Sequence, residues 1–297
     1  MLDNASYDPW IETLNSSTQQ IAFVQSMVGL GFGWLIGLLF RFIASDIETH
    51  ANSTKVKIDR RRLITTDRSD LIEPLLKLHE SDKLPMPKVI SNAGTLLAAG
   101  SETTATLLTG VTYLLCKTPE ALKKVTQEVR AAYKSEDEIT LISVSKLDYM
   151  LASLDEAMRL YPPVAMGLPR TIRQGGDQVA GHFLPEGTVA AVYQWAANRS
   201  TMNFHNPLAY RPERFLSDRP AGFDRDRREA MQPFSVGPRN CVGKNLAIAE
   251  MRQILARILF SFDIELVDPN LDWLHVDYQK SFFLWDKPPM EVYLTPV

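Results

Sequence analysis

Only two cysteines, Cys116 and Cys241, occur in the 297 residues, too few for a disulfide framework or a multi-thiolate zinc site. Charge of one sign is scarce as well. Thirty-two Lys and Arg stand against 35 Asp and Glu, a net charge of −3, which speaks against a general nucleic-acid binder. The opening "MLDNASYDPWIETLNSS" is acidic and polar and lacks the basic-then-apolar pattern of a secretory signal. The Asn-x-Ser/Thr sequons at Asn4, Asn15, Asn52 and Asn198 therefore count as chance matches. Internal repeats and low-complexity linkers are missing too. What is present is the composition of a globular protein, 45% hydrophobic and 23% charged, able to bury a sizeable core in one large domain or two.

An uninterrupted apolar run of spanning length is also lacking. "MVGLGFGWLIGLLF", Met27 to Phe40, has 14 residues, whereas a bilayer span needs roughly 20. Extension to Ile21–Ala44 reaches that length only by including Gln25, Ser26 and Arg41. The run is expected to form a buried or membrane-surface helix, with a true span over 21–44 as the alternative. A polar, basic stretch follows as helix then loop, and "DLIEPLLKLHESDKLP" is a short amphipathic segment.

From Pro87 to Cys116 the chain is apolar almost all round, which predicts a long helix crossing the middle of a core. Thr118-Pro119 predicts an N-cap and first helical position, and "YMLASLDEAMRLY" a helix stopped by Pro162-Pro163. After Val164 short β-prone pieces alternate with Gly and Pro turns, followed by an irregular stretch from Asn203 to Pro238. One more helix is expected from about Gly243 to Phe260, and the tail "FFLWDKPPMEVYLTPV" is expected to form a hairpin. The predicted fold is helix-rich α+β with a minor sheet.

Cys241 stands in the pattern Phe234-x-x-Gly237-x-Arg239-x-Cys241-x-Gly243, immediately before the last helix. A buried packing cysteine needs no such neighbours, whereas a metal-ligating thiolate can use all of them. Glycines at 237 and 243 permit a tight turn and a close approach of the backbone to a flat ligand. The helix N-terminus favours a thiolate by only about 0.3–1 kcal/mol, so coordination must supply most of the ionisation.

This segment resembles the haem-binding signature of the cytochrome P450 family at all five fixed positions. The resemblance implies haem b held through the Cys241 thiolate, whose electron donation favours O–O cleavage. It implies Arg239 as a propionate partner and Phe234 as a screen for the sulfur. Further motifs follow in the family's order. "AAGSETTAT" resembles the acid–alcohol motif: Ala99 and Gly100 loosen the helix, Thr103 hydrogen-bonds at the oxygen-binding position, and Glu102 serves a proton relay. Glu156-Ala-Met-Arg159 with Arg214 of "YRPERF" resembles the buried structural triad, and Arg170 of "GLPRTI" matches a second propionate ligand. Val164, Met166, Phe282 and Phe283 are pocket-lining candidates by family position, with plain core packing equally open.

The resemblance covers roughly Asp67 to Val297. It implies the C-terminal portion of the P450 fold in residues 67–297: a long central helix, minor β-sheets and a Cys-ligand loop. Residues 1–66 would be a partial N-terminal region containing the apolar helix 27–40. Against full-length eukaryotic members this N-terminal region is short, so strands near Val179 and Val189 are expected to lack pairing partners. The implied activity is insertion of one oxygen atom from O2 into an apolar small molecule, natural-product or lipid-like. Electrons would come from NADPH through a flavoprotein reductase, with "DRDRREA" as a candidate docking stretch or simply a solvated face. The implied location is the endoplasmic reticulum membrane surface, cytosolic side. "QKSFFLWDKPP" is similar in texture to fungal secondary-metabolism members. A truncated, non-catalytic relative that holds haem poorly or not at all is the alternative. Peroxide-using or rearranging chemistry is disfavoured by the intact Glu102-Thr103 pair.

Overall fold

The structure is a computed structural model that describes residues 9–64, 69–275 and 277–297; within the first two helices, side chains are described for 19–35 and from 48 onward. It divides into two compact units, one ending at Glu102 and one starting at Thr103.

In the first unit, α1 (Pro9–Gly29) and α2 (Ile36–Arg62) flank the apolar run. Neither the single helix expected over 27–40 nor the alternative span over 21–44 forms. The run is broken by a turn after Gly29, where Gly31 takes φ +84° and Phe32 N returns to Met27 O. Nor is it buried where side chains are described, since Leu30 and Trp34 are 71% and 73% exposed. Among the described residues no helix is long and apolar enough to cross a membrane. A small core of Ile58, Leu76, Val89 and Ala93 joins α2, α3 (Glu73–Glu80) and the start of α4 (Met86–Cys116). Asp70 caps α3, its Oδ1 accepting from Ile72 N and Glu73 N, and the Arg61 hydrogen bond holds its carboxyl below the usual range.

The long helix α4 forms as expected but is not buried all round. Asn92, Leu96, Ala99 and Gly100 are exposed along one face, whereas Leu107, Val111, Leu114 and Leu115 beyond it are buried. In the second unit these side chains meet α5 (Pro119–Ala132), α6 (Asp148–Leu160) and α8 (Lys244–Ser261) in one core. The spacing explains the packing: Ala121, Val125 and Val129 face inward from α5, and Met251, Leu255 and Leu259 from α8, each set four residues apart. Thr118 precedes α5 with non-helical backbone, but its side chain makes no capping bond; its carbonyl accepts from Ala121 N instead. Pro162 and Pro163 end α6 after Tyr161, whose ring fills the centre of the unit. Tyr161 stacks on Trp285 at 5.0 Å and tilts against Trp273 at 5.1 Å.

Gly110 of α4 lies beneath that ring, and a Cβ there would sit 2.5 Å from Tyr161 Cδ1. The ring is fully buried between tryptophans and cannot yield. Gly110→Ala is therefore expected to destabilise by about 1–3 kcal/mol, read as a lower denaturation midpoint, despite alanine's better helix propensity.

Strands are short. Arg170–Thr171 (β1) pairs antiparallel with Val189–Ala190 (β4), and Asp177–Val179 (β2) with His182–Leu184 (β3). Val179 and Val189 thus each find a partner, contrary to expectation, although each sheet has only two strands. The irregular stretch from Asn203 carries only short 3-10 turns and α7 (Gln194–Asn198) precedes it. The tail is not one hairpin. Lys280–Ser281 (β6) and Trp285–Asp286 (β7) form a small hairpin, while Val292–Pro296 (β8) pairs with Phe262–Leu266 (β5), the strand leaving α8.

Candidate functional site

The two cysteines differ in what surrounds them. Cys116 is partly buried beside Ile264 O, and burial pushes its thiol up to about 11. Cys241 is exposed on the loop between the 3-10 turn Gly237–Arg239 and α8. Its backbone N donates to Phe234 O at 2.9 Å, closing the eight-residue segment Phe234–Cys241 by one bond. Gly237 makes the closure possible with φ +77°, a conformation that costs other residues roughly 1–2 kcal/mol. The Cys241 carbonyl accepts from Lys244 N, so the loop runs directly into the first turn of α8. A Cβ on Gly243 would lie 3.9 Å from Cys241 Sγ, an ordinary contact, so this glycine does not relieve a clash with the thiol.

The loop is solvent-exposed from Val236 to Val242, and Phe234 packs half-buried against the core. Arg239 is exposed and has no carboxylate partner among the described residues. Arg170, also exposed, donates to Pro169 O next to it and has no carboxylate partner among the described residues. On α4, Glu102 is buried and Thr103 half-buried, and the neighbouring Thr104 hydroxyl is buried without a hydrogen-bond partner among the described residues. Ala99, Gly100 and Glu102 belong to the first unit, Thr103 to the second.

Glu156, Arg159 and Arg214 meet in one fully buried cluster. Arg159 donates to both Glu156 oxygens at 2.8 Å, and Arg214 Nε donates to the same carboxylate at 3.2–3.3 Å. All three side chains are 0% exposed. Arg159 also donates to the carbonyls of Asn198 and Pro207, and Glu156 accepts from Arg211 N. The cluster thereby ties α6 to the irregular stretch. Asn198, one of the sequons, is itself fully buried; Asn4 and Asn15 lie outside the described side chains. Sequence reasoning missed Asp226, inside "DRDRREA". Its carboxylate is 1% exposed and pairs with Arg214, so this stretch is not wholly a solvated or docking face.

A cavity of about 280 Å³ lies behind the loop, lined by Met158, Phe234, Ser235, Lys244, Arg252 and Asp155. It does not include Val164, Met166, Phe282 or Phe283; Phe283 sits at the β6–β7 tip with φ +118°. Burial pushes the Asp155 carboxyl up to about 6, against the opposing pull of Arg252 and Arg228. Between about pH 4 and 6 the folded chain thus keeps a proton that the unfolded chain has lost, and stability falls as pH rises through that window. Asp155→Asn is expected to raise stability at pH 8 by about 1–2 kcal/mol and to flatten this dependence, read from melting midpoints at both ends of the window.

Among the described residues no three His, Cys, Asp or Glu side chains come together as a metal site. A metal bound through Cys241 would then have a single protein ligand and need its other donors from a prosthetic group. Two guanidinium groups without carboxylate partners suit an anionic group of that kind. The residues present therefore fit a metallo-macrocycle better than a bare ion.

The family model described as Cytochrome P450 matches residues 6–292, further towards the N-terminus than the motifs carried the resemblance. Among curated proteins, the chain is 50% identical to "Cytochrome P450 monooxygenase tpeC" of Talaromyces stipitatus, over 99% of this chain and 57% of that protein. It is 41% identical to averantin hydroxylase of Dothistroma septosporum, over 99% and 56%. It is also 41% identical to trichothecene C-15 hydroxylase of Fusarium sporotrichioides, over 99% and 60%. The chain spans about three fifths of the length of these relatives. A crystal structure of a cytochrome P450 superposes with a TM-score of 0.73 at 23% identity, covering 99% of this chain and 62% of that one. The architecture is the mainly helical α+β fold expected.

Proposed function

Since the chain belongs to the cytochrome P450 family, we propose that it carries the haem-ligating part of a monooxygenase acting on an apolar small molecule. Haem b, when bound, supplies the oxidising chemistry and the activation of O2. Cys241 would hold its iron as the thiolate, Arg239 and Arg170 would meet its carboxylates, and Phe234 would screen the sulfur from water. Gly237 and Gly243 keep side chains out of the loop. Thr103 would orient a hydrogen bond at the oxygen-binding position, and Glu102 would pass protons towards it, with Ala99 and Gly100 leaving room on α4. Glu156, Arg159 and Arg214 keep the loop's supporting stretch in place.

The observation carrying this reading is the exposed Cys241 thiol on a glycine-shaped loop that opens directly into α8. The named relatives that hydroxylate averantin and a trichothecene support a natural-product substrate and secondary metabolism. NADPH would supply electrons through a flavoprotein reductase, and nothing points to nucleic acid. The exposed Phe23, Leu30, Phe32 and Trp34 support contact with a membrane surface, at the cytosolic face of the endoplasmic reticulum.

The test is the carbon-monoxide difference spectrum of the purified, haem-supplemented and reduced chain. A red-shifted, thiolate-type Soret band is expected. A chain without haem, or with a band lacking thiolate character, would instead be a non-catalytic relative.

A further inference from the structure

We propose that Asp226 is a positioning residue for the Cys241 loop, the fourth member of the buried charge cluster; the proposal rests on the reading of that loop as the haem-ligand loop. Charge balance is the first argument. Glu156 alone faces two guanidinium groups, and all three side chains are excluded from water. A triad by itself would leave one net positive charge in the interior, where an unpaired charge is strongly unfavourable. Asp226 removes that excess. Its Oδ2 takes Arg214 Nη1, on the side of the guanidinium turned away from Glu156.

The second argument is connectivity. The other Asp226 oxygen, Oδ1, accepts from His205 N at 2.6 Å, and the next residue, Arg227, donates its backbone N to Asn203 O at 2.7 Å. The Phe223 ring closes over the Arg214 guanidinium at 4.6 Å. The chain is thus pinned at 226–227 to a side chain that is itself locked onto α6. Downstream lie Gln232 N on Gln194 Oε1 at 2.8 Å and Cys241 N on Phe234 O at 2.9 Å. Regular structure between Asp226 and Cys241 amounts to two three-residue turns, so the entry of this segment is set at Asp226. Glu156 and Arg159 fix where Arg214 points, and Asp226 converts that direction into a position for the loop.

The experiment uses the full chain as wild type, Asp226→Asn, Arg214→Gln, the double variant, and Leu259→Ala as a core-destabilised control outside the cluster. Trypsin cleavage after Arg225, Arg227 and Arg228 is timed without haem, and the carbon-monoxide spectrum is taken with it. Each single cluster variant is expected to be cleaved roughly tenfold faster, and the double variant also about tenfold rather than a hundredfold, because it removes both halves of one pair. The thiolate fraction should fall by more than about half in Asp226→Asn and hold in folded Leu259→Ala. If Asp226→Asn does not fold, a double variant more resistant to trypsin than that single variant supports the proposal, and one no more resistant overturns it. Wild-type cleavage in Asp226→Asn, multiplicative effects in the double variant, or an equal spectral loss in Leu259→Ala would overturn it. A wild-type chain without the thiolate band would refute the functional reading, while the haem-free cleavage rates would still decide the role of Asp226.

Discussion

Cys241→Ser is expected to eliminate the thiolate-type band of the reduced, carbon-monoxide-treated chain, and Cys116→Ser to leave it intact. The two substitutions remove the same sulfur from opposite environments. Cys116 lies partly buried against the Ile264 carbonyl with its thiol pushed up to about 11, so it stays protonated near neutral pH. Cys241 is exposed, its backbone fixed to Phe234 O and its carbonyl in the first turn of α8. A serine there keeps those backbone bonds and the loop shape, and changes only the donor atom. Haem retention is expected to fall more than about a hundredfold, beyond the 10–100-fold typical of losing an outer-shell partner. The check is bound haem after gel filtration, beside the spectrum. Unchanged retention in Cys241→Ser would refute the assignment of the ligand.

Glu156→Gln is the second large effect, and it falls on folding before chemistry. The carboxylate takes four buried side-chain contacts from two arginines and a part-buried one from Arg211 N. An amide preserves the volume but offers one oxygen, turns two donors towards the guanidinium groups, and leaves Asp226 as the one carboxylate paired with them among the described residues. Breaking such a buried set costs about 3–5 kcal/mol. For a unit of this size that corresponds to a melting point lower by roughly 6–20 °C. Glu213, adjacent in sequence to Arg214, is the contrasting case. Its pair with the half-exposed Lys124 is partly solvated, so Glu213→Gln should cost under about 1 kcal/mol. Equal melting points for Glu156→Gln and Glu213→Gln would refute the difference.

These contrasts show what the residues alone could reveal. The loop around Cys241 was legible because four unusual neighbours crowd with it into ten positions and a helix pattern starts directly after them. The helices α5, α6 and α8 were legible from apolar spacing and prolines, all local signals. Asp226 was not, because Arg225 and Arg227 beside it are exposed and make the stretch look uniformly solvated. Only the return of Arg214 brings a counter-charge to it. The break at Gly31 was hidden in an apolar run whose composition suits a continuous helix equally well. The β5–β8 pairing joins segments on either side of a long intervening stretch, so the tail's local turn signals suggested the nearer partner. The open face of α4 carries Leu96 and Ala99 like any buried face, and composition alone does not distinguish the two.

The stacked rings around Tyr161 also determine how this chain emits light. Trp195 meets Trp285 edge-on at 5.1 Å, Trp285 stacks on Tyr161, and Trp273 lies against Tyr161 and Tyr113. Three of the five tryptophans therefore share one cluster in the second unit, Trp273 and Trp285 buried and Trp195 partly so, whereas Trp34 in the first is already 73% exposed. Excited at the indole band, the native chain should show a blue, partly quenched component from the cluster over a red one from Trp34. Loss of the blue component follows unfolding of the unit that bears Cys241 and is silent to the first. The protein thereby carries an intrinsic fluorophore set that reports the melting of its second unit without a label.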